Sequence, residues 1–328
     1  MARIGRALIV AGGALGILAA SAGAIALDPA PPPLTLRFVT LNLLHGGIFS
    51  ELHGDDDALE QRFALVVEGL RALDADVVGL QEASTGRRRG DVAARLAREL
   101  GYRHVRAPAA YRPLGSSSLR RGVRAVTGFD EGPALLSRFP IVRWVAYELP
   151  PCGRPFDVRV LVGAELETPA GLLPVYSAHT SGVPCHARAV AAVVRAERRA
   201  LPSVVLGDFN AEDGSEAMRI LTREAGWMDA FRHANPSAAG FTDGQDVTAE
   251  RPTAARRIDY VLLVPGARVP GRVVASRVVF DRPRGSRPVR WPSDHHGVLA
   301  DVAIERAPSP RPGDRTARDL QDGVDGGG

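Results

Sequence analysis

Along the chain, short runs in which apolar and polar positions alternate or turn wholly apolar are separated by longer runs with helical spacing. The stretches "LRFVTLNLL" (36–44), "DVVGLQEA" (76–83) and "SVVLGDFN" (203–210) predict buried strands that end in polar residues. Three helices are expected: "DALEQRFALVVEGLRAL" (57–73) with Asp57 as N-cap, "GDVAARLARELG" (90–101) stopped at Gly101, and "CHARAVAAVVRAERRA" (185–200). Segments 133–150, 157–168 and 173–180 read as strands joined partly by hairpins, with a turn at "PAGL" (169–172). Later strands are "RRIDYVLLV" (256–264), "GRVVASRVVF" (271–280) and "GVLADVAI" (297–304). Hairpins mixed with crossover helices point to two packed mixed sheets covered by helices.

Composition adds boundaries to this pattern. The chain has 328 residues, 45% hydrophobic and 24% charged, enough for one large α/β domain. It opens with "MARIGR", followed by an uncharged run over 7–27 with small-residue cleavage sites at "ASA" and "AIA". Residues 1–27 therefore read as a signal peptide or an uncleaved N-terminal anchor, and either fate places the rest outside the cytoplasm, secreted or membrane-attached. Residues 28–34 read as a Pro-rich linker, 35–305 as the folded domain, and 306–328 as a disordered tail. Two cysteines, Cys152 and Cys185, permit one disulfide in an exported protein, and two free thiols are the alternative.

Charge matters through its distribution. The formal net charge of +4 falls to about +2 without Arg3 and Arg6, so the total does not argue for nucleic acid. Residues 87–124, however, hold 11 arginines against Asp91 and Glu99, and residues 251–290 hold 10 against Asp259 and Asp281. If both stretches border one mouth, they attract an anionic polymer or an anionic lipid surface. The "GRRRG" run (86–90) by itself reads as a solvated loop, and "HGDDD" (53–57) as helix capping in preference to metal binding.

The candidate chemistry lies where predicted strands end. Asn42, Glu82, His179, Asp208 and Asn210 close four strands, Asp259 follows Arg257, and Asp294 and His295 precede the last strand. Each alone has an ordinary structural explanation, such as an Asx-turn at Asp208 or a satisfied histidine at His179. Together, strand ends converging on one rim would assemble a site.

The segments "TLNLLHGG", "VVGLQEA", "PALLSRFPI", "VYSAHT", "VVLGDFNA", "RRIDYVLL" and "SDHHGVLA", in this order over residues 35–305, resemble the endonuclease/exonuclease/phosphatase (DNase I-like) superfamily. The resemblance implies an α/β fold, a four-layer α/β/β/α sandwich of two packed mixed sheets flanked by helices, and a metal-dependent hydrolase acting on phosphate esters. It implies Mg²⁺, with Mn²⁺ or Ca²⁺ as alternatives, held by Glu82 with Asn42 and Asp294 completing or bordering the site. Asp208 and Asn210 would position water and phosphate, and Asp259 would orient His295. His179 would act on the phosphate or the leaving oxygen, and the general base is either His295 or Asp208. Glu131 is a candidate support for His179, and Arg159 a candidate phosphate contact.

These residue types suit the chemistry. A phosphodiester resists attack because it is anionic and has a poor leaving group, so hydrolysis calls for a cation on its oxygens, an aligned water and a proton source. Hard Mg²⁺ prefers carboxylate, amide and water oxygens. Nucleic acid is the favoured substrate, because "YRPLGSSSLRRGVRAVTGF" (111–129) is basic and lacks an obvious lipid-inserting hairpin. A sphingomyelinase-like or phosphoinositide-type lipid phosphoesterase is the alternative, and a non-catalytic phosphate-binding protein of the same fold is the alternative of another class. No protein partner is expected.

Overall fold

Two six-stranded mixed sheets pack face to face. The computed structural model describes residues 32–44, 58–86, 89–109, 130–153, 158–285 and 288–306. The export segment, the acid cluster at 53–57, most of the arginine-rich loop 108–128 and the tail after 306 lie outside these described residues. Among the described residues no helix is long and apolar enough to cross a membrane.

The first sheet runs in the order β13 (Gly271–Val279), β14 (Gly297–Ile304), β1 (Leu34–Asn42), β2 (Val77–Gln81), β6 (Ala134–Ser137), β5 (Arg103–Arg106). The second runs β11 (Met228–Asp229), β12 (Asp259–Val264), β10 (Ser203–Asp208), β9 (Gly171–His179), β8 (Val160–Thr168), β7 (Ile141–Glu148). Among the described strands only β1–β2 and β9–β10 pair in parallel, each beside antiparallel neighbours. Leu34, read from the sequence as the last linker residue, is already in β1, where it pairs with Ile304.

The period-two pattern explains the layers, because successive side chains point to opposite faces of a sheet. Phe38, Val77, Val204, Leu206 and Val261 face the other sheet and join the central core. Their neighbours Val39, Val78, Val205 and Leu262 face outward, where helices cover them. Helices α1 (Leu59–Leu73) and α2 (Val92–Leu100) lie on the first sheet, and α3 (Pro184–Ala196) on the second, giving the four-layer α/β/β/α sandwich. Gly101 ends α2 in the left-handed region, as the sequence predicts, and Asp91 accepts from Ala94 N–H at its start.

Some elements depart from the sequence reading. The predicted strand region 133–150 divides between sheets, β6 in the first and β7 in the second, with the chain crossing at Arg138–Pro140. Proline cannot donate to a ladder, and Ser137 Oγ accepts from Phe139 N–H at the corner. Helix α3 stops at Ala196 instead of continuing to residue 200. Within the "GRRRG" run, Thr85–Gly86 (β3) and Gly90–Asp91 (β4) pair as a small hairpin, and Arg89 is buried, not solvated. The short strands β5 and β11 span too few residues for periodicity to mark them.

The sheets approach tightly at Gly79, where an added Cβ would sit 2.5 Å from Leu206 Cβ. Gly79→Ala must therefore push β2 away from β10, and we expect a loss of about 1–3 kcal/mol of stability, read as a lowered urea midpoint. An unchanged midpoint would mean that the sheets separate freely at this point.

Candidate functional site

Polar contacts between the sheets begin just below the rim. Gln81, fully buried at the end of β2, donates through Nε2 to Ser177 Oγ on β9 (3.2 Å). Ser177 Oγ in turn donates to Leu80 O (2.9 Å), and Thr40 Oγ1 donates to Gln81 Oε1 (3.2 Å). A satisfied buried network of this kind fixes one sheet relative to the other. It lies one or two residues below Asn42, Glu82 and His179, so the same register delivers all three to one edge.

At that edge Asn42 bridges the sheets. Its Nδ2 donates to Glu82 Oε1 (3.1 Å) and to Asp208 Oδ2 (3.0 Å), while its Oδ1 accepts from Leu44 N–H (3.1 Å). Asp208 sits opposite His179 in the parallel β9–β10 ladder and opposite Asp259 in the antiparallel β10–β12 ladder. Strand pairing thus places three titratable side chains side by side. His179 Nε2 lies 3.6 Å from Asp208 Oδ2. Asp208 also makes the Asx-turn anticipated as its ordinary explanation, accepting from Asn210 N–H through Oδ1 (2.8 Å). One carboxylate oxygen shapes the loop and the other faces the site.

The loops after β9 and β10 are locked together. Asn210 Nδ2 donates to Thr180 O (3.0 Å), Thr180 Oγ1 donates to Phe209 O (2.6 Å), and a Cβ at Gly182 would lie 2.1 Å from Asn210 O. Leu44, Glu82 and Asn210 all hold positive φ, at 53°, 54° and 49°. Left-handed backbone at non-glycine residues is costly, and three cases gathered around one site mark a strained, over-determined rim.

His295 is held from both ring nitrogens. Nδ1 lies 2.9 Å from Asp259 Oδ2, Nε2 lies 3.3 Å from Asp243 Oδ1, and Asp208 Oδ2 is 3.9 Å from Nε2. Thr242 Oγ1 accepts from the N–H groups of Ile258 and Asp259, which seats Asp259. Burial works against the imidazolium, but Asp259, Asp208 and Asp294 outweigh it and raise His295 well above the ordinary histidine value. Burial, followed by the charge of Asp259, raises the Asp208 carboxyl. Asp294 is raised by burial and then by Glu82, with His295 acting in the opposite sense.

The remaining candidates divide. Glu131, considered as a support for His179, has Glu82 and Arg159 as its principal charged neighbours, and burial with the Glu82 charge pushes it up to about 8. The Arg159 charge acts in the opposite sense, lowering Glu131. His296 is structural: Nε2 meets Gln245 Oε1 (3.1 Å) and its ring stacks on Trp291. Cys152 and Cys185 form a disulfide that joins the segment after β7 to the start of α3.

Sequence reasoning missed two contributors. Asp243 lies in an irregular segment and reaches the site through isolated bridges to Arg256 and His295, for which no periodic signal exists. Arg62, fully buried on α1, donates to the carbonyls of Leu43 (2.6 Å), Leu44 (2.8 Å) and Pro292 (3.3 Å), tying the segment after Asn42 to the one before Asp294. A charged residue in the apolar stripe of a predicted helix was the available signal for Arg62.

The donor set fits a hard divalent cation. Glu82, Asp294 and the Asn42 amide offer oxygen-rich chemistry, and Asp259 Oδ1 is buried with no hydrogen-bond partner among the described residues. Asp208, Asp259 and His295 also offer ligand atoms within 4.8 Å of one another, a second grouping able to hold a cation.

The comparisons agree with this geometry. No curated protein matches the sequence. An endonuclease/exonuclease/phosphatase from Beutenbergia cavernae is similar at 25% identity, covering 84% of this chain and 73% of that one, with a TM-score of 0.60. A mannosyl-6-phosphatase from Bacteroides thetaiotaomicron is similar at 17% identity, covering 81% of this chain and 99% of that one, with a TM-score of 0.60. A humanized D. rerio TDP2 is similar at 15% identity, covering 82% and 98%, with a TM-score of 0.59. The model of the Endonuclease/Exonuclease/phosphatase family matches residues 39–295, and the chain belongs to this family of divalent-metal-dependent phosphoesterase hydrolases.

Proposed function

We propose that the protein is an exported phosphodiesterase that hydrolyses nucleic acid with the help of Mg²⁺. The observation that carries the reading is His295 clamped by Asp259 on Nδ1, with Asp208 and Asp243 near Nε2, at the end of the chain of contacts from Glu82 through Asn42 to Asp208.

Glu82 and Asp294, with Asn42 bordering them, are the residues that would hold the ion, which when bound supplies positive charge to the non-bridging phosphate oxygens. Asp208 Oδ2 accepts the proton of the attacking water, in a position fixed by Asn42 and the Asn210 turn. Carboxylates at both ring nitrogens favour the cationic form of His295, which donates from Nε2 to a phosphoryl oxygen as charge builds there. His179 Nε2, beside Asp208, serves the leaving oxygen. Asn210 and Arg159 position the phosphate. The balance is simple: the water oxygen bonds to phosphorus, the ester P–O bond breaks, one proton passes from the water to Asp208, and His179 gives one to the leaving oxygen.

Nucleic acid is favoured because the sequence of loop 108–128, with Arg112, Arg120, Arg121 and Arg124 and no acidic residue, suits a polyanion. Export is supported by the composition of residues 1–27, and a disulfide fits an oxidising compartment.

The test is hydrolysis by the purified protein of plasmid DNA, RNA, sphingomyelin, a phosphoinositide and bis(p-nitrophenyl) phosphate, each with Mg²⁺ and with EDTA. Mg²⁺-dependent cleavage of DNA or RNA is the expected result. Cleavage confined to a lipid would replace the substrate, and silence on every substrate with folded protein would favour a phosphate-binding role.

A further inference from the structure

Arg256 lies two contacts from the working nitrogen of His295. Its Nε donates to Asp243 Oδ2 (2.7 Å) and its Nη2 approaches the same oxygen (2.5 Å), while Asp243 Oδ1 lies 3.3 Å from His295 Nε2. The two ends of this pair differ in exposure: the Arg256 side chain is 57% exposed and that of Asp243 only 11%. A buried carboxylate thus aims a guanidinium into solvent at the rim, and Nη1 has no partner among the described residues.

The ion pair is not needed to close its own loop. Thr242 and Asp243 both donate backbone N–H to Arg256 O, and Ala255 N–H donates to Asp243 O. Nor are the neighbouring arginines equivalent. Arg257 is buried and committed to Asp229 and Asp213, and Arg290 pairs with Glu250. Among the described arginines of the 251–290 stretch, Arg256 is the one whose charge pair reaches the site.

Resting on the phosphodiesterase reading, we propose that Arg256, oriented by Asp243, binds a second phosphate group of the substrate next to the scissile one. The surroundings require such a cation. Glu82, Asp208, Asp259, Asp294 and Asp243 make the rim acidic, so a flanking phosphate meets repulsion unless a positive group faces it. A half-exposed ion pair is worth little by itself, so the guanidinium can share its donors with a phosphate at small cost. Arginine's planar fork suits that role, because Nη1 and the outer N–H of Nη2 can be offered to phosphate while Nε stays on Asp243.

The test compares affinities by calorimetry, with Mg²⁺ present, for thymidine 3′,5′-bisphosphate and thymidine 5′-monophosphate. In the wild type the bisphosphate should bind about tenfold tighter, the scale of one charge-assisted contact. R256Q should bring the ratio close to one, and R256K should restore part of it. A merely structural ion pair would shift the melting temperature and leave the ratio alone. A wild-type ratio near one, or a ratio that survives R256Q, overturns the proposal. The same comparison with inositol 1,4-bisphosphate and inositol 1-phosphate identifies the source: the pair with the larger ratio shows whether the second phosphate belongs to a polynucleotide or a lipid headgroup. Turnover of thymidine 5′-(p-nitrophenyl phosphate) tests the activity separately. If that ester is not cleaved but the affinity ratio collapses in R256Q, the subsite stands and the phosphodiesterase reading falls.

Discussion

Replacing His295 by glutamine should lower kcat on bis(p-nitrophenyl) phosphate by about 10²–10³-fold, the range for removing a donor preorganised for the charge that builds on the transition state. The side chain sits where Asp259, Asp208 and Asp243 converge, and its two ring nitrogens face different partners. Glutamine is chosen because its amide can still donate to Asp259 Oδ2, whereas alanine would leave a fully buried carboxylate without its partner. A buried charge stripped of its partner costs about 3–5 kcal/mol, which would confuse loss of chemistry with loss of fold. His295→Ala should likewise be inactive, with its unfolding midpoint showing how much stability Asp259 loses. Wild-type turnover in a folded glutamine variant would remove His295 from stabilising the phosphoryl charge and leave Asp208 and His179 to act without it.

Glu82→Gln should weaken divalent-ion binding by more than about a hundredfold, the upper end for deleting an outer partner of a metal ligand. The substitution keeps size and a carbonyl oxygen for Asn42 Nδ2 but removes the charge that faces Asp294 and Glu131. Direct titration of Mn²⁺ by electron paramagnetic resonance reads the effect without depending on turnover, and the activity curve against Mg²⁺ should move in parallel. Unaltered Mn²⁺ affinity would transfer the ion to the Asp208, Asp259 and His295 grouping, whose ligand atoms lie within 4.8 Å of one another.

Much of the site was readable because its residues terminate buried strands. "VVLGDFN" announces both the strand, through Val204, Val205 and Leu206, and the point where that strand leaves the core, at Asp208. The same holds for Asn42 at the end of β1 and His179 at the end of β9. Asp243 has no such context. Its position depends on closing a loop onto Arg256 and on meeting His295 more than fifty residues away, and neither contact leaves a trace in local periodicity. Glu131 is instructive in another way: its neighbours along the chain mark it as polar at a strand edge, but only packing brings it against Glu82 and Arg159.

The sequence by itself determined most of the longer strands and the outer helices, and the polar residues at the strand ends. Side-chain direction alternates with the backbone, and burial follows from residues a few positions apart. Tertiary structure decided which strands are neighbours, where the chain changes sheets at Arg138–Pro140, how Gln81 and Ser177 set one sheet on the other, and that Arg62 and Asp243 reach the site. Those outcomes depend on packing and hydrogen bonds between segments far apart in the chain, whose energies exist only once both partners are in place.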